Sequence, residues 1–155
     1  LCQKMEVVIA SWDSDFFQLL SSRISVLRYR GKNTRLCTPT YVEDRFGVSP
    51  ALYADFKALT GDTADNIKGA PGIGPKTAAM LLKEFGSLKA ILKNAPSIRK
   101  AAVRTSILQN SEKLQINYQL IKLGKAVPLP FACCELAYCY NGITTNEALR
   151  GAGIR

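Results

Sequence analysis

The chain has 155 residues, 47% hydrophobic and 21% charged, with a net charge of +9, so by length it is one globular domain able to bury a real core. No apolar run approaches the roughly 20 residues of a bilayer span, and no leader pattern opens the chain. There is no histidine, which excludes every mechanism that needs one from this chain.

Glu6–Ala10 is a short β-branched run and reads as a buried strand of a parallel sheet. It ends at Ser11-Trp12-Asp13-Ser14-Asp15-Phe16, and in open α/β sheets ligand-bearing residues collect at the carboxyl ends of strands. Phe16–Leu20 reads as a short helix, Ile24–Arg30 as a second strand and Arg35–Cys37 as a third. Thr38 or Thr40 caps a helix reaching Phe46, and Gly47 stops it. Ser49 and Pro50 are N-cap and N1 of the next helix, whose stripe is Leu52, Phe56 and Leu59 and whose end is Gly61.

The stretch from Gly61 to Gly86, GDTADNIKGAPGIGPKTAAMLLKEFG, carries the most information. Pro75 at a first helical position and Gly86 beyond the last predict a helix over Pro75–Phe85, with Ala78, Leu81, Leu82 and Phe85 as its apolar stripe. Before it, Gly72 and Gly74 are free to adopt positive φ and to let another backbone approach. The helix start offers unpaired N–H groups to a phosphate, and Lys76 and Thr77 add a charge and a hydroxyl. This helix–hairpin–helix pattern grips a sugar-phosphate backbone without reading bases; a bare Gly-x-Gly would equally mark an ordinary turn. Ser87 caps a short helix to Lys93, and Ile98–Leu123 reads mostly helical, with Leu114, Tyr118 and Ile121 as its stripe and Pro128 and Pro130 ending it. Thr145 caps a last helix, Asn146–Arg150.

Charge is concentrated in the same region. Residues 66–125 hold eleven Lys and Arg against two Glu, whereas 1–65 and 126–155 are each balanced. A basic segment beside neutral ones points to a polyanion, the alternative being a solvated lysine-rich face. Five cysteines, an odd number, read as reduced thiols. Cys133, Cys134 and Cys139 cluster without the paired spacing of a zinc site. The expected place is intracellular, in a DNA-containing compartment (nucleoid, nucleus or organelle), not secreted.

Four aspartates come as two pairs, Asp13/Asp15 and Asp62/Asp65. Asp-x-Asp at a strand end can send both carboxylates to one side of the sheet, and Asp-x-x-Asp at a helix-to-loop junction places its carboxylates as neighbours. Carboxylates without histidine suit hard cations such as Mg²⁺, and beside a phosphate grip they suggest metal-assisted phosphodiester hydrolysis with two ions about 4 Å apart. Either pair alone would read as caps and turn formers.

Taken together, Ile9–Phe16, Ala58–Ile67 and Gly69–Ala78 resemble the 5′–3′ exonuclease/flap endonuclease family, in its bacterial DNA polymerase I exonuclease-domain type. The combination Gly-Asp-x-x-Asp-Asn-Ile plus Gly-x-Gly-x-Lys carries the resemblance, which runs from about Glu6 to Val127. It implies a mostly helical α/β fold: a truncated Rossmann-like (PIN-type) core with a helix–three-turn–helix DNA-binding region. The divisions expected are 1–47 for the C-terminal part of the core, 48–127 for the DNA-binding region and 128–155 for an extension. Asp13, Asp15, Asp62 and Asp65 would be catalytic metal ligands for Mg²⁺ or Mn²⁺. Lys68, Gly72, Gly74, Lys76 and Thr77 would hold DNA, with K⁺ at the hairpin carbonyls. The family's first-metal carboxylates, including a Glu-x-Asp-Asp run, have no counterpart here, and the chain looks cut from something longer. The expected activity is structure-specific 5′–3′ exonuclease or 5′-flap hydrolysis by two-metal catalysis, weak or absent in this chain alone. The expected partner is DNA with a 5′ flap or single-strand/duplex junction, bound by a monomer, with no membrane. The alternative is a non-catalytic duplex-DNA-binding module.

Overall fold

The computed structural model describes residues 5–124, 127–137, 142, 144–151 and 153. The chain divides into two compact units, Met5–Lys125 and a smaller one that includes the described residues beyond it.

The larger unit begins with a three-stranded sheet ordered β1 (Val7–Ala10), β2 (Ile24–Arg28), β3 (Arg35–Cys37). β1 pairs parallel with β2 in the register Val7↔Ile24, and β3 returns antiparallel with Val26 opposite Cys37. The first strand is present and pairs in parallel as expected, but it is not buried. β1 alternates half-buried and exposed residues, and Val8 is 57% exposed, as in a strand with one face and one edge open. The segment after it is a 3₁₀ helix, Ser14–Leu19, which drives Phe17 into the core against Tyr41 and Tyr53, with ring centroids 5.7 and 5.4 Å away.

Helix α1 (Pro39–Phe46) starts after Thr38 and ends on Gly47 in the left-handed conformation. Ser49 and Pro50 open a 3₁₀ turn, Pro50–Leu52, and α2 (Tyr53–Thr60) follows it. Every residue from Tyr53 to Leu59 is buried, so α2 is the central helix of the unit rather than the one-sided helix its stripe suggested. Two short strands, β4 (Gly61–Asp62) and β5 (Ile67–Lys68), pair antiparallel, a pairing that no local pattern of β-branched residues announces.

Helix α3 (Pro75–Phe85) has the predicted bounds and buries Ala78, Leu81 and Leu82, ending on a left-handed Gly86. In α4 (Leu88–Lys93) the Ser87 hydroxyl accepts the N–H of Ala90, as the sequence indicated. The long helical run resolves into α5 (Ala101–Gln109) and α6 (Ser111–Ile121), which turn at Asn110. α6 stops at Ile121, before the prolines, where the Gln18 side chain takes over: its amide donates to the Ile121 carbonyl (2.9 Å) and its oxygen accepts the N–H of Leu123 (3.1 Å). This buried amide satisfies helix-end groups and ties the first segment of the chain to α6.

The smaller unit contains a 3₁₀ turn, Cys133–Leu136, and α7 (Thr145–Gly151). Its cap is Thr144, not Thr145: the Thr144 hydroxyl accepts the N–H of Glu147, while the Glu147 carboxylate accepts the N–H and O–H of Thr144, a reciprocal capping box. Cys37 is buried with a free thiol, its pKa raised by burial. The cluster expected of Cys133, Cys134 and Cys139 lies outside the described residues, save for the backbone of the first two. No helix among the described residues is long and apolar enough to cross a membrane.

Candidate metal centre and nucleic-acid interface

Three of the four predicted carboxylates converge. Asp15, Asp62 and Asp65 each offer an oxygen, and these oxygens lie within 4.8 Å of one another. Asp15 comes from the first turn after β1, Asp62 from β4 and Asp65 from the turn between β4 and β5. The Asp62 Oδ1 also accepts the N–H of Ala64 at 3.1 Å, an Asx-turn that fixes the β4–β5 bend. An all-carboxylate donor set of this size fits a hard divalent cation.

Asp13 stands apart. Asp13 is not among the carboxylates that lie within 4.8 Å of one another, and the backbone after it is a 3₁₀ helix rather than the extended chain that alternation assumes. The exposed Asp13 is the N-cap of that helix and accepts the N–H of Asp15 at 2.8 Å.

A residue that sequence reasoning missed sits at the centre of the group. Lys57 reaches out of the buried α2 with a side chain 8% exposed. Its ammonium donates to the Oδ1 of Asp15 at 2.7 Å and to the hydroxyl of Ser14 at 3.2 Å, and it is ion-paired with the Oδ2 of Asp62. That Oδ2 is buried. Burial pulls the pKa of Lys57 down, but the hydrogen bonds and charges of Asp15 and Asp62 prevail and leave it raised. Burial likewise opposes the charge on Asp62, and the Lys57 ammonium outweighs it, holding that carboxyl below its ordinary value. Asp65 is raised by its hydrogen bond to Asp62 and by that neighbour's charge.

The hairpin follows directly from β5. Gly72 has φ +75, whereas Gly74, expected to share that freedom, is extended at φ −85 and serves as N-cap of α3. Neither has any atom within 4 Å of where a Cβ would stand, so both present open backbone. Lys68, Gly72, Gly74 and Lys76 are exposed and Thr77 is half-buried; Gly74, Lys76 and Thr77 stand at the N-terminus of α3, whose first N–H groups have no intrahelical acceptor.

Behind the hairpin, side chains from α5 and α6 hold its carbonyls. The Ser106 hydroxyl donates to Pro71 (2.6 Å), the Lys113 ammonium to Gly69 (3.0 Å) and the Asn117 amide to Lys68 (3.0 Å) and Ala58 (3.2 Å). No sequence signal marked these three, since a hydrogen bond across 35 to 59 residues leaves no local pattern.

Residues 48–141 match the family described as 5′–3′ exonuclease, C-terminal SAM fold. The chain is 44% identical over 124 residues to a thermostable DNA polymerase I of Thermus aquaticus, covering 80% of this chain and 14% of that protein. It is 38% identical over 130 residues to the flap endonuclease Xni of Aeromonas salmonicida, covering 84% and 48%. The chain thus spans half or less of the length of these relatives. A bacteriophage T5 flap endonuclease, solved as a pseudo-enzyme–product complex with DNA and metal ions, superimposes with a TM-score of 0.67 at 26% identity, over 75% of this chain and 42% of that one.

Proposed function

The chain belongs to the 5′–3′ exonuclease family, and from that premise we propose that it is the C-terminal half of a structure-specific 5′ nuclease acting on DNA with a 5′ flap or a single-strand/duplex junction. The observation that carries the proposal is the convergence of Asp15, Asp62 and Asp65 within 4.8 Å, one short strand pair away from an open glycine hairpin at a helix start.

In this reading residues 1–47 complete a PIN-type nuclease core, 48–127 form the DNA-binding region and 128–155 an extension. Asp15, Asp62 and Asp65 would hold Mg²⁺ or Mn²⁺, with Asp13 fixing the Asp15 backbone. The ion would supply Lewis-acid stabilisation and an acidified water for two-metal phosphodiester hydrolysis. Lys68, Lys76, Thr77 and the backbone at Gly72 and Gly74 bind and orient the strand through its phosphates. K⁺ would be held by main-chain carbonyls of the hairpin. The protein would work as a monomer on DNA in replication and repair.

The carboxylates for a first metal would come from a preceding segment, so this chain alone should bind duplex DNA and cut it poorly. In the complete protein, Asp62→Ala should abolish Mg²⁺-dependent cleavage of a 5′-flap substrate while leaving DNA affinity intact or improved. Unimpaired cleavage by that variant would refute the assignment. A non-catalytic duplex-DNA-binding module is the second reading, and the Lys57 ammonium among the carboxylates favours it. Cleavage by the complete protein decides between the two.

A further inference from the structure

We propose that Lys57 is the resident counter-cation of the carboxylate group, holding Asp15 and Asp62 together before a divalent ion arrives and then competing with that ion for the same oxygens. This rests on the metal reading above and deepens it, by assigning control of affinity and stoichiometry to a residue outside the ligand set.

The geometry is that of a ligated cation. An ammonium has three protons to donate, and that of Lys57 meets three oxygens: Ser14 Oγ, Asp15 Oδ1 and Asp62 Oδ2. Two of those oxygens belong to the carboxylates that would bind metal. The side chains of Lys57, Asp15 and Asp62 are only 8, 14 and 10% exposed, so water screens the ammonium poorly from an incoming ion. Three carboxylates and one ammonium leave two negative charges, the complement of a single divalent ion rather than a pair. The lysine cannot simply swing away into solvent, because its stem is buried in α2 and its head lies over the Tyr53 ring at 5.9 Å.

The test is Mn²⁺ binding, followed by titration calorimetry at one pH, for the wild-type chain, Lys57→Met, Lys57→Arg and Asp62→Asn. Methionine keeps the apolar length of the stem and removes the charge. Lys57→Met should bind Mn²⁺ at least tenfold more tightly and Lys57→Arg within a few-fold of wild type; unchanged or weaker binding by Lys57→Met overturns the proposal. Should Lys57→Met not fold, the Lys57 ammonium signal can be followed by NMR in the wild-type chain during Mg²⁺ titration. It should shift as the site saturates, and a signal unmoved at saturation overturns the proposal. If Asp62→Asn binds Mn²⁺ as tightly as wild type, the metal reading itself fails and the proposal with it.

Discussion

A methyl group added to Gly61 would stand 2.5 Å from the amide nitrogen of Gly69, and one added to Gly69 would stand 2.6 Å from the amide nitrogen of Gly61. The two backbones cross where β4 leaves α2 and where β5 enters the hairpin, and Ala70 seals the crossing by donating its N–H to the Leu59 carbonyl at 3.0 Å. No side chain can yield there, since the nearest atoms are main-chain.

Gly69→Ala should therefore destabilise the protein by about 3 kcal/mol or more, at the upper end of overpacking costs. Gly74→Ala meets nothing within 4 Å and sits at an ordinary φ, so its stability change should stay within about 0.5 kcal/mol. If the hairpin admits a strand backbone, that same alanine should weaken duplex-DNA binding. Urea unfolding beside a binding isotherm separates the two effects.

Asp55 is a buried carboxylate whose Oδ1 accepts the N–H of Leu88 at 2.8 Å, the first residue of α4. Asp55→Ala leaves that N–H without its partner and should cost about 1–3 kcal/mol, with DNA affinity unchanged in what remains folded. Asp55→Asn, which keeps an acceptor, should recover most of the loss. Chemical denaturation of the three proteins checks this.

Lys76 is exposed at the start of α3. Lys76→Ala should lower duplex affinity alike for unrelated sequences and reduce the slope of log K against log salt by about one. Loss of affinity confined to some base sequences would contradict a backbone grip.

The Lys57–Asp62 pair sets a pH window. The folded pKa of Asp62 is lowered, so its contribution is present above the unfolded value of about 3.9 and is lost as pH falls through the folded one. That of Lys57 is raised, so its contribution is present below about 10.4 and is lost as pH rises through the folded value. Asp65, raised by its neighbour, runs opposite to Asp62 and softens the acid limb. Stability should form a plateau around neutrality with losses on both sides, and Lys57→Met should flatten the alkaline limb. Urea midpoints across pH measure it.

The features that could be read from the sequence were those written in local chemistry. Pro75 and Gly86 bound α3 because a missing N–H and a left-handed residue act within one turn, and the Ser87 cap is equally local. Asp62 and Asp65 lie three apart across one bend and so meet Asp15. What escaped depends on distant partners. An apolar stripe on α2 says nothing of Asp55 or Lys57, whose burial follows from Leu88 on one side and Asp15 with Asp62 on the other. Asp13 serves as an N-cap, a role that alternation does not reveal because it assumes an extended chain, and the chain turns 3₁₀ at Ser14. Thr144 and Thr145 are chemically alike, and only the position of Glu147 relative to each decides which one caps.

Ser106, Lys113 and Asn117 lend the hairpin a rigidity it does not own. A turn whose carbonyls are pinned from behind has settled its ordering cost during folding, so little is left to spend on arrival of a ligand. Transplanted without α5 and α6, the same glycine-rich loop would be a floppy graft. Any engineer borrowing it for another scaffold must carry its distant backing along.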